Sequence, residues 1–94
     1  MESTVRNNAA ASQFEIEIDG KLAVTRYRMK PGRMVVIHTE VPPELEGHGV
    51  GNTLARAALD YARSEGLRVV PRCAFVSAFI RRHKEYQDLV DESV

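Results

Sequence analysis

The sequence predicts a small α/β layer: a mixed sheet of about four strands, a central βαβ crossover and a short C-terminal helical segment. Three observations carry that reading. Apolar residues alternate through 14–18 and a β-branched run occupies 34–41, both strand patterns. An apolar stripe of helical period fills 50–62, and a second β-rich stretch follows it at 67–70. With 94 residues there is room for one hydrophobic core, so a full two-part dinucleotide fold or a solenoid is excluded.

Composition narrows the function classes. Thirteen Lys plus Arg stand against thirteen Asp plus Glu, which removes the global electrostatic reason to expect a nucleic-acid partner. The single Cys cannot form an internal disulfide and points to a reducing compartment, so a cytoplasmic location is expected. No uncharged run approaches the roughly 20 residues of a membrane span, and the first eleven residues lack the apolar stretch of a signal peptide. The expected organisation is a flexible tail at 1–13, a single domain at 14–90 and a second tail at 91–94.

Phe14, Ile16 and Ile18 alternate with Glu15, Glu17 and Asp19, the pattern of a half-buried strand. Asp19-Gly20 then makes a two-residue hairpin turn, pairing Ile18 with Lys21, Ile16 with Ala23 and Phe14 with Thr25. Ala23, Tyr27 and Met29 share the Ile face, and Leu22 and Val24 fall on the other, which needs cover from the helix at 74–82 or from a second copy of the chain; a monomer is expected. Pro31-Gly32 turns the chain into 34–41, whose near-continuous apolar character suits a central strand. Pro42 and Pro43 end it.

Val50, Leu54, Ala57, Ala58, Tyr61 and Ala62 recur at three- and four-residue spacing up to Gly66, a helix terminator. A strand at 67–70 after a helix of this length is most economically parallel to the strand at 34–41, through a right-handed crossover. Beyond Cys73, Ala74–Arg82 reads as a short helix with Phe75, Phe79 and Ile80 apolar, and 84–90 as one or two more turns.

The glycine loop is the sharpest chemical feature. Gly47, Gly49 and Gly51 lie between a buried strand and a helix start, leaving amide N–H groups open to an anion such as a pyrophosphate. A phosphate-binding P-loop is excluded because no Gly-Lys pair follows, and a dinucleotide fingerprint because the spacing is GxGxG after three strands. One Cys and three scattered His give no zinc-like spacing, so no metal is expected.

The loop resembles the fingerprint of the GCN5-related N-acetyltransferases, in which Arg or Gln, two residues, Gly, one residue, then Gly or Ala wraps the pyrophosphate of coenzyme A. Glu46, Gly49 and Gly51 take those places, with Glu46 departing from the Arg or Gln of the large families. HTEVPPELEGHGVG, GNTLARAALDYAR, GLRVVPRCAFV and HKEYQDLV together are similar to a minimal single-domain subfamily of about ninety residues. That resemblance implies a minimal acyl-CoA N-acyltransferase fold, acetyl-CoA as cosubstrate and an amine acceptor of unidentified kind. Helices that wall the acceptor in larger relatives have no counterpart here, which suits a protein-borne amine. A non-catalytic acyl-CoA or CoA-binding module is the alternative.

The resemblance also assigns candidate residues. The pantetheine arm would bond along the backbone of His38, Thr39, Glu40 and Val41, and the pyrophosphate would lie over Glu46, Gly47, His48, Gly49, Val50 and Gly51. Cys73 and His38 are the candidate catalytic residues, since the thioester would arrive near both. His38 falls in the most buried-looking strand and shares its parity with Glu40, a pair that either fixes the imidazole tautomer or faces water. Cys73 follows a strand end at a helix start, where amides stabilise a thiolate, so it is a nucleophile for acetyl-cysteine exchange, an aid to direct attack of an amine on the thioester, or a small buried packing residue. The general acid is unassigned, since no Tyr lies in 74–82 and Tyr86 comes late. Arg81, Arg82, His83 and Lys84 could meet the 3'-phosphate of coenzyme A or form a solvated helix end.

Overall fold

A computed structural model describes residues 4–91. Five strands form one sheet in chain order: β1 (Arg6–Asn8), β2 (Gln13–Ile18), β3 (Lys21–Lys30), β4 (Arg33–Glu40) and β5 (Arg68–Pro71). The first three pairings are antiparallel and β4 pairs β5 in parallel across the helix α1 (Val50–Ser64). A second helix, α2 (Ala74–Arg82), and a 3-10 segment (Lys84–Leu89) close the chain. The minimal acyltransferase architecture expected from the sequence is therefore present, with one strand more than the four foreseen.

The extra strand lies in the stretch read as a tail. Arg6 pairs with Glu15 and Asn8 with Gln13, and a 3-10 turn at Ala9–Ala11 returns the chain into β2. Three residues carry too little apolar periodicity to be seen as a strand in isolation. What holds them is polar. Glu15 is buried on the sheet and its carboxylate accepts from Arg6 Nε at 2.9 Å, Asn8 Nδ2 at 2.8 Å and the Gln13 amide. Tyr27 adds a hydroxyl bond to Asn7, on the opposite face of the same edge strand.

The hairpin register matches the two-residue turn: Ile18 faces Lys21, Ile16 faces Ala23 and Phe14 faces Thr25. Asp19 and Gly20 both have positive φ, as that turn requires. Met29, assigned to the inner face, is 42% exposed although its cross-strand partner Met34 is buried.

One core joins the inner sheet face to the helices, through Phe14, Ile16, Ala23, Met34, Val36 and Val69 from the strands, with Leu54, Ala58 and Leu59 of α1 and Val76, Phe79 and Ile80 of α2 packed among them. The helix α2 thus lies beside α1, with the Arg56 guanidinium 5.5 Å from the Phe79 ring centroid. It does not cover the outer face, where Leu22 stays 45% exposed and Val24 is buried beside its cross-strand neighbours Glu15 and Glu40.

Hydrogen bonds from Gln13, Asn8 and Arg6 hold the Glu15 carboxyl below the usual carboxylate range, and desolvation only partly opposes them. A depressed folded-state pKa means that stability is fully present above the unfolded value and is lost as pH falls through the folded one. We expect Glu15→Gln to lower the melting temperature at neutral pH and to flatten the decline in stability on the acid side of the carboxylate range. Thermal denaturation of both proteins across that range measures this, and parallel declines would dissociate Glu15 from the acid response.

Candidate functional site

The site begins with an irregularity in β4. Arg26 pairs with His38 but Tyr27 pairs with Val36, so Ile37 is an extra residue with no partner on β3. Because strand side chains alternate, one inserted residue exchanges the two faces beyond it. Met34 and Val36 point into the core before the bulge, and Thr39 takes the inner side after it. Without the bulge His38 would continue the even-numbered inner series, which is the basis for expecting it buried. It is instead exposed, opposite exposed Arg26, and shares the outer face with exposed Glu40.

The bulge coincides with a split in the sheet. The last β4–β5 pair is Val36 with Pro71, and Arg72 N–H closes on the Val36 carbonyl at 2.9 Å. Strand β4 runs on to Glu40, and among the described residues no strand lies beside it on that side. Into the split project two side chains that the sequence separates widely: Cys73 Sγ–H donates to Thr39 Oγ1 at 3.4 Å, and Thr39 Oγ1 lies 3.1 Å from Thr25 Oγ1. Cys73 is the residue before α2, yet its side chain makes no bond to the helix-start amides. It is 6% exposed. Neither helix-amide capture of the sulfur nor contact with His38 is seen.

A cleft of about 550 Å³ opens from the split to the start of α1. Thr39 and Val41 form one end, Leu45, Glu46 and Gly47 the side, and Gly49, Val50, Gly51 and Asn52 the other end, with Phe75 of α2 as a wall. The loop follows a 3-10 turn at Pro43–Leu45, anchored by buried Leu45. Gly47 and Gly49 have φ of +85° and +77°, and a Cβ at either would meet no heavy atom within 4 Å. These glycines serve backbone conformation and leave the loop surface open. Thr53 N–H makes the helix's first internal bond, to the Gly49 carbonyl at 3.0 Å, so the amides of Val50, Gly51 and Asn52 have no partner within the helix. No acidic side chain occupies that first turn. The arrangement offers amides and a positive helix end to an anion.

Gly51 has a different role. Its backbone is helical, and a Cβ there would lie 2.7 Å from Phe75 Cζ. The missing side chain makes room for the Phe75 ring, which remains 40% exposed in the cleft. Phe75, Leu45 and Asn52 escape the sequence reading. Phe75 in particular belongs by spacing to the apolar stripe with Phe79, and only the overhang of the first turn of α2 brings it to the cleft.

Other candidates lie elsewhere. His48 is exposed and is not part of the cleft wall. Tyr86 donates to Asp60 Oδ1 at 2.6 Å and accepts from Arg56 Nη1 at 3.2 Å, tying the C-terminal segment to α1, and burial and then Asp60 push its pKa up. His83 stacks on Phe79 at 3.9 Å and its Nδ1 is bonded to the Phe79 carbonyl, at the end of α2 remote from Phe75. Among the described residues no group of three or more His, Cys, Asp and Glu is placed to hold a metal ion, and no helix is long and apolar enough to cross a membrane.

A split parallel pair, a bulged strand beside it and a glycine loop at the helix start define an acyltransferase-type fold. The family model described as GCN5-related N-acetyl-transferase matches residues 13–89, and the chain belongs to that family. It is 33% identical over 82 residues to protein NATD1 of Bos taurus, covering 84% of this chain and 73% of that protein. Protein NATD1 of Homo sapiens is 30% identical over the same length, with 84% and 73% covered. The NMR solution structure of a GCN5-like protein from Staphylococcus aureus superposes with a TM-score of 0.74 at 28% identity, covering 94% of this chain and 87% of that one.

The two kinds of glycine separate experimentally. Gly49→Ala places a side chain at positive φ and is expected to cost about 1 kcal/mol of stability. Gly51→Ala gains helix propensity of similar size and displaces only a half-exposed ring. It is therefore expected to leave the melting temperature near that of the parent while shifting the Phe75 ring resonances in NMR spectra. Equal destabilisation by both substitutions would contradict the assignment.

Proposed function

We propose that this chain is an acetyl-CoA-dependent N-acetyltransferase that uses direct transfer to an amine at the β4–β5 split. The observation that carries the reading is the continuous cleft, which links free helix-start amides at one end to the unpaired end of β4 at the other. That geometry suits a ligand with a pyrophosphate, an extended amide-bearing arm and a reactive end. The amides of Val50, Gly51 and Asn52 would hold the pyrophosphate. The exposed backbone of Thr39 and Val41 would bond the arm as an added strand.

Direct transfer needs an unprotonated amine, donors for the charge that develops on the carbonyl oxygen and a proton for the departing thiolate. Thr39 presents a hydroxyl to the cleft and Cys73 backs it with a thiol proton. These groups supply a proton path to the split, with Cys73 positioned behind Thr39 rather than exposed as the attacking atom. His38 faces the other way and has no part in this step. The binding-module alternative shares the loop and cleft and differs only in lacking turnover.

Glu46 lies in the cleft wall where the large families carry Arg or Gln. Its carboxylate opposes an anionic ligand, so Glu46→Gln is expected to tighten acetyl-CoA binding by a few-fold, on the order of 1 kcal/mol. Titration calorimetry checks this. Unmeasurable acetyl-CoA binding by both proteins would remove the donor assignment.

Turnover and mechanism are tested by coenzyme A release with a pool of peptide amines, together with intact mass after incubation with acetyl-CoA alone. We expect release that depends on amine, no acetyl adduct on the parent, and turnover reduced by about a hundredfold to ten-thousandfold in Thr39→Val, the range of a lost proton-transfer contribution. An adduct absent from Cys73→Ala and discharged by amine would establish the covalent route instead. Tight donor binding without any release would favour the binding module.

A further inference from the structure

The helices cover only one side of the sheet, and the other side over β3, β4 and β5 carries a groove of about 470 Å³. Its floor is aliphatic: Val35, Ile37 and Val70, of which Ile37 is 40% exposed. Its walls are cationic, formed by Arg28, Lys30, Arg33 and Arg72. Arg33 pairs with Asp91 at 3.8 Å, but Arg28, Lys30 and Arg72 make no ion pair or side-chain hydrogen bond among the described residues. The chain as a whole is neutral, so this concentration of unpaired charge belongs to one face.

The strand register orders these groups. Lys30 pairs with Arg33 and Arg33 with Arg68, making one cationic row across the sheet. Arg28 pairs with Val35 and Val35 with Val70, so the next row is aliphatic on β4 and β5 and carries a cation at its β3 end. Arg26, the bulged Ile37 and Arg72 follow. Successive rows are two residues apart along a strand, about 6.6 Å, so on the β5 side of the groove the Arg33–Arg68 row and Arg72 flank Val35 and Val70 at a separation of about 13 Å. An extended polypeptide repeats its side chains on one face with the same period.

We propose that this face is a docking surface for an acidic polypeptide segment, bound extended with the pattern acid, any residue, aliphatic, any residue, acid. The aliphatic side chain seats on Val35 and Val70, and the flanking carboxylates meet Lys30 and Arg33 on one side and Arg72 on the other. A nucleic acid fits the same charge less well, because single strands gain from stacking on aromatic side chains and this floor has none. The inference is independent of the acetyl-transfer reading, since it concerns binding in the absence of any acetyl donor.

The test uses the full chain and a fluorescent Glu-Ser-Leu-Ser-Glu peptide blocked at both ends, so that no amine is available. Anisotropy is expected to show saturable binding that weakens with salt, and amide shifts in NMR spectra should concentrate on β3, β4 and β5. The double variant Lys30→Gln, Arg72→Gln, which takes one exposed cation from each flanking position, should weaken binding by about tenfold with an unchanged melting temperature, as loss of two exposed charge pairs implies. Arg81→Gln, Arg82→Gln, which removes equal charge from α2, should leave binding as in the parent. No binding at millimolar peptide, equal weakening by both double variants, or equal affinity for a peptide with the leucine moved next to a glutamate would overturn the proposal. Tighter binding of a single-stranded oligonucleotide of equal charge would also overturn it.

Discussion

The structure depends on the single extra residue in β4. Up to Val36 the strand is an ordinary central member of a sheet, bonded on both sides and apolar on its inner face. The parallel pairing ends at Val36, and one step later, at Ile37, the antiparallel register slips. The combined effect leaves a length of strand with its backbone free on one side and Thr39 aimed inward. A bulge adds local twist and changes the direction of a strand. Here the change of direction accompanies the departure of β5, so the cleft is a consequence of strand geometry rather than of a loop folded over the surface.

The remaining parts are held around that opening by modest interactions. Leu45 pins the loop from below, while left-handed glycines on either side of His48 allow it to turn directly into α1. The absence of a side chain at Gly51 makes room for the Phe75 ring of α2 beside the cleft. Further away, Tyr86 and the paired Arg63 and Asp88 fasten the C-terminal segment to the outside of α1, with the Arg63 hydrogen bond lowering the Asp88 pKa. A five-stranded sheet covered on one face is a thin structure, and its edge is closed by polar means. Glu15, fully supplied with donors, does for β1 what apolar packing does for the other strands.

The uncovered face gives this minimal domain two surfaces of different character. One is uncharged apart from Glu46, with glycine backbone at the helix start and the Phe75 ring as a wall. The other is aliphatic and cationic, with a repeat set by strand spacing. Both abut the end of the β4–β5 pairing, because Val36 and Pro71 separate them. A family fold reduced to this size thus carries a cleft on one side of its strands and an uncovered face on the other.

Much of this was legible in the chain itself. The alternation at 14–18 with Asp19-Gly20 determined a hairpin and its register, because turn chemistry and strand period are local. The helical stripe from Val50, its stop near Gly66 and the strand that follows determined the parallel crossover, and the glycine spacing located the loop. Tertiary structure alone decided which side each β4 residue faces. An uninterrupted period of two puts His38 inside, and only pairing against β3 shows that Ile37 is looped out and Thr39 takes that place. It also decided β1, whose three residues are strand by virtue of Glu15 and its partners, and Phe75, whose helical spacing reads as core until the cavity beside Gly51 is known. In each case the deciding contact joins residues distant in sequence, where local periodicity carries no information.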